Sequence, residues 1–335
     1  MKNDSSRSRT LSLTWYVEWV LGEHRETSQM HIVTGWDDEM QALTARNRFH
    51  PEYGSRVAFA ALSAPVESWC GNRAAFLGRN GSLKSPAAME RTSLSGRTGA
   101  GFDPCAALRT ILQLAPGEQA EVTCMLGEVE SREEARTMVF SFRKTGIDAA
   151  LQETKAWWDK LLGTVEAHTP ELSVDFLINR WMVYQSLSCR IWGRSAFYQS
   201  GGAFGFRDQL QDIMALLYAA PSLARDHIIL AASRQFKEGD VQHWWHPPNG
   251  DGIRSRISDD LLWLPFVVAH YLRVTGDSEI LGAQVPFLDG PTLRDDQHEA
   301  FFTPTATTET ATLFEHCRRA VAHGLTAGPH GLPLM

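Results

Sequence analysis

The stretch RISDDLLWLPFVVAHYLRVTG, residues 256–276, carries apolar side chains at helical spacing from Leu261 to Val274 and stops at Gly276. Apolar residues recurring three and four apart mark one buried helix face. A glycine just past the last of them is where a helix closes. Ser258 is placed to cap the start. Asp259 and Asp260 follow in the first turn, where carboxylates meet the positive end of the helix dipole. Pro265 reads either as the first position of the main helix or as a kink.

Working outward, the same texture begins near residue 171. ELSVDFLINRWMVYQSLSCRIW (171–192), FRDQLQDIMALLYAA (206–220) and LARDHIILAASRQF (223–236) each predict a helix, the second ending before Pro221. A short piece covers 278–285. TTETATLFEHCRRAVAHG (307–324) predicts another helix, with Thr307 or Thr308 as N-cap and Gly324 beyond its end. No strands are expected among these helices, which argues against an α/β sheet. Residues 145–163 form an amphipathic helix suited to link two domains.

Upstream the pattern changes. TLSLTWYVEWVLG (10–22), MHIVTGWD (30–37), RVAFAALS (56–63), AALRTILQLAPGEQAEVTCMLGEV (106–129) and TMVFSFR (137–143) read as short strands punctuated by Gly, Pro, Ser and Asn. APGEQAEV reads as a hairpin-like turn. Strands of this length separated by turns predict a β-sandwich over residues 1–142. Nothing there brings acid, base and nucleophile types together, so a structural role is the expectation.

A chain of 335 residues suits about two domains. A net charge of −7, with basic residues scattered, gives no support to nucleic-acid binding. The cysteines number five, an odd count, and no CxxC occurs, so reduced thiols in a cytoplasmic setting fit better than disulfides or zinc. The N-terminus lacks the apolar core of a signal peptide, and no run of about 18 apolar residues occurs. Eleven tryptophans suit either buried core positions or stacking platforms for sugars.

Three segments mix residue types that carry chemistry. RSAFYQSGGAFGFRDQLQD (194–212) joins glycines and aromatics to Arg194, Arg207, Asp208 and Asp212. Its Gly-rich loop lacks the Lys-Ser/Thr of a nucleotide P-loop. Asp208 at a helix start and a surface ion pair are the plain alternative. EGDVQHWWHPP (238–248) packs His243, Trp244, Trp245 and His246 together. A metal pair of His243 and His246 lacks a third ligand at suitable spacing, and an aromatic platform beside a pocket fits better. In Asp259-Asp260, simple capping competes with a functional reading. Adjacent carboxylates repel, and a carboxylic acid kept protonated is what a glycosidic oxygen needs from a general acid. Spacing alone leaves both open.

Taken together and in this order, the three segments resemble the inverting phosphorylases of β-linked glucosides, the glycoside hydrolase family 94 type that includes cellobiose, chitobiose and β-1,2-oligoglucan phosphorylases. The wording resembles in particular the C-terminal phosphorylase-like region of cyclic β-1,2-glucan synthases, most strongly over about 180–285. The resemblance implies a β-sandwich (1–142), a helical linker (143–168) and the first half of an (α/α)6 barrel (169–335). It implies phosphate attack on the anomeric carbon with inversion, inorganic phosphate as co-substrate and no other cofactor. An inverting hydrolase needs a base as well as an acid. Phosphate is already an anion, so one acid suffices.

By the family's (S/T)-D-D-x-L-W stretch that acid maps to Asp259, with Asp260 as the fallback, an orienting or a capping group. Arg194 and Asp208 map to residues that fix the reacting sugar. Arg207 and Asp212 are expected to support them, and Trp244, Trp245 and His246 are assigned to the leaving-sugar side. The partners implied are a β-glucan oligosaccharide and phosphate or a sugar 1-phosphate. A full-length synthase is compatible with membrane attachment.

Two departures shape the expectation. The loop Gly201–Gly205 is shorter than in cellobiose-type members and has no Arg, which points to the β-1,2-glucan branch. The chain also stops at Met335, before the family's phosphate-binding His and Thr and the remaining helices. It is therefore expected to be an internal piece, with apolar faces whose exposure invites association such as a homodimer. A non-catalytic sugar-binding or structural fragment is the alternative.

Overall fold

The computed structural model describes residues 1–194 and 201–332. The chain divides into two compact units, Met1–Thr154 and Lys155–Met335.

The first unit holds two antiparallel sheets. One has the order β1 (Arg9–Glu18), β6 (Pro104–Leu114), β5 (Ser68–Asn72); the other runs β2 (Ile32–Asp37), β3 (Ala42–Asn47), β4 (Val57–Leu62), β7 (Cys124–Val129). Short helices α1 (Arg25–Ser28) and α2 (Arg73–Leu77) lie between strands. Strand β4, VAFAAL, is buried along its whole length. Side chains alternate across a strand, and its two faces serve two cores. Ala58, Ala60 and Leu62 join Leu43, Ala106 and Leu108, from both sheets. Val57, Phe59 and Ala61 pack instead with Ala135 and Val139. The predicted sandwich is therefore observed.

Two local expectations are corrected. TMVFSFR lies inside helix α3 (Arg132–Thr145), not in a strand. Ser131 caps that helix by accepting the Glu134 N–H at 3.1 Å, and Ala135 and Val139, four apart, are its buried face. The run of β-formers in a short window hid the helical period. APGEQAEV is not a hairpin, because β6 and β7 belong to different sheets.

Helix α4 (Ile147–Leu162) forms within the span 145–163 predicted to be helical. The second unit then opens with a broken helical stretch. It comprises α5 (Leu172–Phe176), a wide turn at Leu177–Trp181, α6 (Met182–Gln185) and a second wide turn at Ser186–Trp192. Arg180, at φ 78°, interrupts it. Helices α7 (Phe206–Met214), α8 (Pro221–Ala232), α9 (Asp260–Thr275) and α10 (Leu313–Gly324) surround one core. Leu210, Ile213, Ile228, Leu264, Val268 and Ala320 are among its fully or nearly fully buried members. Gly276, left-handed at φ 71°, closes α9 as expected, and Pro265 sits inside that helix.

Strands do interrupt the helices, contrary to expectation. β8 (Phe204–Gly205), β9 (Gln242–Trp245), β10 (Gly252–Ser255) and β12 (Glu299–Phe302) form a sheet in the order β12-β10-β9-β8, and β11 (Gln284–Asp289) pairs with β13 (Thr305–Thr312). The first three strands are four residues or fewer, too short for a period to register. TTETAT extends as β13, consistent with the strand preference of β-branched threonine. The cap of α10 is accordingly Thr312, which accepts the Glu315 N–H at 3.2 Å, rather than Thr307 or Thr308. No helix among the described residues is long and apolar enough to cross a membrane.

Candidate active site

The small sheet of the second unit places two helix starts side by side. Strand β8 leads directly into α7, and the chain leaving β10 turns within five residues into α9. Between them lies β9, whose Trp244 is opposite Gly205 on one side and Ile253 on the other. The first turn of α7, with Arg207 and Asp208, is thereby brought to His243 and to the first turn of α9, with Asp259 and Asp260.

A cavity of about 250 Å³ lies there, lined by Ala203, Gly205, Arg207, Asp208, His243 and Trp244 among others. This is below the roughly 300–1,000 Å³ of drug-sized sites and suits a small polar ring. Asp208 lies over Gly205: a Cβ at position 205 would come within 3.1 Å of Asp208 Oδ2. Glycine there lets the carboxylate fold back along the cavity wall.

The adjacent acids part company. Asp259 is half exposed, and its Oδ2 accepts hydrogen bonds from Arg207 Nη1 at 3.2 Å and Trp263 Nε1 at 3.4 Å. The Asp259 contact, together with Asp260 and Asp208, holds the Arg207 guanidinium above its ordinary pKa. Asp260 is 2 % exposed at its side chain and meets His243 Nδ1 at 2.5 Å. Ser258 does not cap α9; the boundary residue is Asp259, in helical conformation and without a side-chain cap bond.

The remaining expected residues are spread over three environments. Trp244 is half-buried on the cavity wall, with Phe301 at 5.8 Å and His246 at 5.1 Å between ring centroids. His246 Nδ1 faces Asp251 at 3.6 Å. His243 and His246 thus turn to different carboxylates.

Trp245, in contrast, is 1 % exposed, packed in the core beside Phe204 with Arg234 over its ring. Adjacent residues of a strand point to opposite faces. The sugar contact expected of Trp245 is therefore not open to it.

Arg194 is buried and braces the loop into α7. It donates to the Ala203 carbonyl at 3.1 and 3.2 Å and to the Arg190 carbonyl at 2.7 Å. Asp212, one turn below Asp208, pairs with Arg190 at 2.9 Å and Arg194 at 3.6 Å. Burial pushes its carboxyl upward while both arginines pull it down, with a net rise. Asp212 and Arg194 thus anchor α7 from beneath. The stretch Ser195–Ser200, quoted with Arg194 in the motif, lies outside the described residues.

His243 entered the sequence reading only as half of a metal pair. Its partner lies 17 residues away across a strand–helix junction, and no spacing rule announces such a contact.

Residues 1–145 match the family described as glycosyl hydrolase 94, supersandwich domain, and residues 157–335 match the glycosyl hydrolase 94 superfamily, catalytic domain. The whole chain is 42 % identical to the cyclic beta-(1,2)-glucan synthase NdvB of Rhizobium meliloti (strain 1021), of which it covers 12 %. Over 87 % of its length it is 27 % identical to the N,N'-diacetylchitobiose phosphorylase of Vibrio proteolyticus, of which it covers 40 %. A solved structure described as a putative kojibiose phosphorylase from human microbiome matches 83 % of the chain, and 37 % of its own, with a TM-score of 0.52 at 8 % identity. That last likeness concerns the fold. The chain thus spans about two fifths or less of the length of each of these relatives.

Proposed function

The chain belongs to the glycosyl hydrolase 94 superfamily, and from that premise we propose that it serves inverting phosphorolysis, or the reverse glycosyl transfer, on β-linked glucosides, with Asp259 as general acid. In this reading an oxygen of inorganic phosphate attacks the anomeric carbon from the side opposite the leaving group. The glycosidic C–O bond breaks as Asp259 passes its proton to the departing oxygen. An α-sugar 1-phosphate and a shortened sugar result. Phosphate replaces the water and the base of an ordinary inverting glycosidase, so a single carboxylic acid is enough.

The observation that carries the reading is the division of labour between neighbouring carboxylates. Asp259 is accessible and borders the Arg207–Asp208 wall of a sugar-sized cavity, whereas Asp260 is enclosed and taken by His243. A proton donor has to reach the glycosidic oxygen, which supports Asp259 over the fallback Asp260. Asp208 is assigned to accept hydrogen bonds from sugar hydroxyls, since a carboxylate offers two acceptor oxygens at charge-assisted strength. Identity of 42 % along the entire chain to a protein named for β-(1,2)-glucan supports that linkage.

The test is turnover of β-1,2-linked glucobiose with inorganic phosphate, followed by phosphorus NMR of the sugar phosphate. Asp259→Asn is expected to lower the rate by about 10²–10⁴-fold, the range ascribed to general acid catalysis, while affinity for the disaccharide stays within a few-fold. Unchanged turnover removes Asp259 from the role. Disaccharide binding without sugar phosphate formation in the wild type turns the assignment to a carbohydrate-binding domain.

A further inference from the structure

We propose that His243 is a sugar-contacting residue of the same cavity, donating a hydrogen bond from Nε2 to a hydroxyl that Asp208 also engages, and that Asp260 is its positioning residue. The inference rests on the reading of the cavity as a sugar site and adds a residue to it. Three observations carry it. His243 lines the cavity with Asp208 and Arg207. Its Nδ1 is held at 2.5 Å by a carboxylate that is almost wholly enclosed, so the ring has a fixed orientation and Nδ1 is spoken for. Asp260 Oδ1 is buried and has no hydrogen-bond partner among the described residues. A carboxylate enclosed in this way is costly unless its charge is compensated, and the imidazole is the group that compensates it.

The chemistry follows from the ring. An imidazole whose Nδ1–H goes to a carboxylate presents Nε2 outward, as acceptor when neutral and as donor when protonated. Asp260 favours the protonated form and raises the imidazole above its ordinary pKa, against burial. The groups facing His243 are Arg207 and Asp208 from α7 and Asp260 from α9. Arg207 opposes protonation, and Asp208 adds to the favourable side. On the neighbouring strand, Arg254 is committed to Asp240 and Glu238. A sugar hydroxyl has one hydrogen to give and lone pairs to receive. Placed between Asp208 and protonated His243, it is satisfied on both sides, and a C–H group in its place is not. The pair therefore selects for a hydroxyl at that ring position.

The sign of the pH dependence is fixed by this arrangement. Binding that needs the imidazolium is full at low pH and is lost as pH rises through the elevated pKa of His243. The experiment is calorimetric titration of the full chain with β-1,2-linked glucobiose from pH 5.5 to 9, for wild type, His243→Ala and Asp260→Asn, with melting temperatures measured for each. His243→Ala is expected to weaken binding about tenfold or more at pH 6 and to remove the pH dependence. Asp260→Asn is expected to move the midpoint of the affinity loss to lower pH, which a merely structural role of Asp260 would not do. Nitrogen NMR of histidine-labelled wild type needs no variant: the sugar is expected to shift the Nε2 resonance of His243. Unchanged affinity in His243→Ala, or an Nε2 resonance indifferent to bound sugar, overturns the His243 assignment and leaves Asp259 as acid. Absence of any glucobiose binding by the wild type overturns the sugar site and this inference with it.

Discussion

His227 shows at the scale of one residue how burial becomes a pH response. It lies on α8 with its Nε2 enclosed and unpartnered among the described residues. Burial first, and the Arg194 guanidinium second, push the imidazole down to about 4 from its ordinary 6.5. The unfolded chain therefore takes up a proton near pH 6.5 while the folded chain resists until about 4. Stability is unaffected above pH 6.5, falls as pH drops through that window and levels off below it, by about 3 kcal/mol in all. His227→Gln is expected to make the fall of Tm between pH 6.5 and 4 shallower, which a thermal melt series checks. At this scale the sequence singled out candidate acids and was silent about how they are shared. The Asp259–Asp260 doublet was readable as a capping pair or as an acid, but only the fold assigns one to Arg207 and the other to His243. Trp244 and Trp245 were equally indistinct until strand alternation sent one to the cavity and one to the core.

Among elements, the pairing of β4 with β7 leaves no space for a side chain at one position. Gly127 stands opposite Phe59, and a Cβ at 127 would lie 2.4 Å from the Phe59 ring. Phe59 is itself 2 % exposed between sheet and helix α3, so the ring has little room to yield. Gly127→Ala is expected to cost about 1–3 kcal/mol through overpacking, seen as a lower denaturation midpoint in urea. Elements with a long period or a clear stop were legible: α9 closes at Gly276 and α4 is helical within the span read as helix. Elements whose identity depends on a distant partner were not. β8, β9 and β10 are brief, and β13 is a threonine-rich strand joined to a helix without a break. In these the pairing energy comes from strands elsewhere in the chain, which a local pattern does not contain.

For the molecule as a whole, the apolar patterning produces separate interiors: among the described residues, three small cores in the first unit and one large core in the second. The order of β-sandwich followed by helical domain was therefore legible from a change in period, without any pairing being known. A second whole-molecule property is the ridge left by the interrupted helix at 172–192. Phe176 is 70 % exposed, Met182 56 % and Trp181 50 %, whereas Leu187 alone of that stretch is fully buried. Large apolar side chains exposed along one short segment attract other apolar surfaces. In the laboratory it will act as a handle: the chain should be retained on phenyl matrices at moderate ammonium sulfate and brighten anilinonaphthalene dyes while fully folded. Phe176→Ser with Trp181→Gln should shorten that retention and leave the melting temperature nearly unchanged, because neither ring contributes to a core.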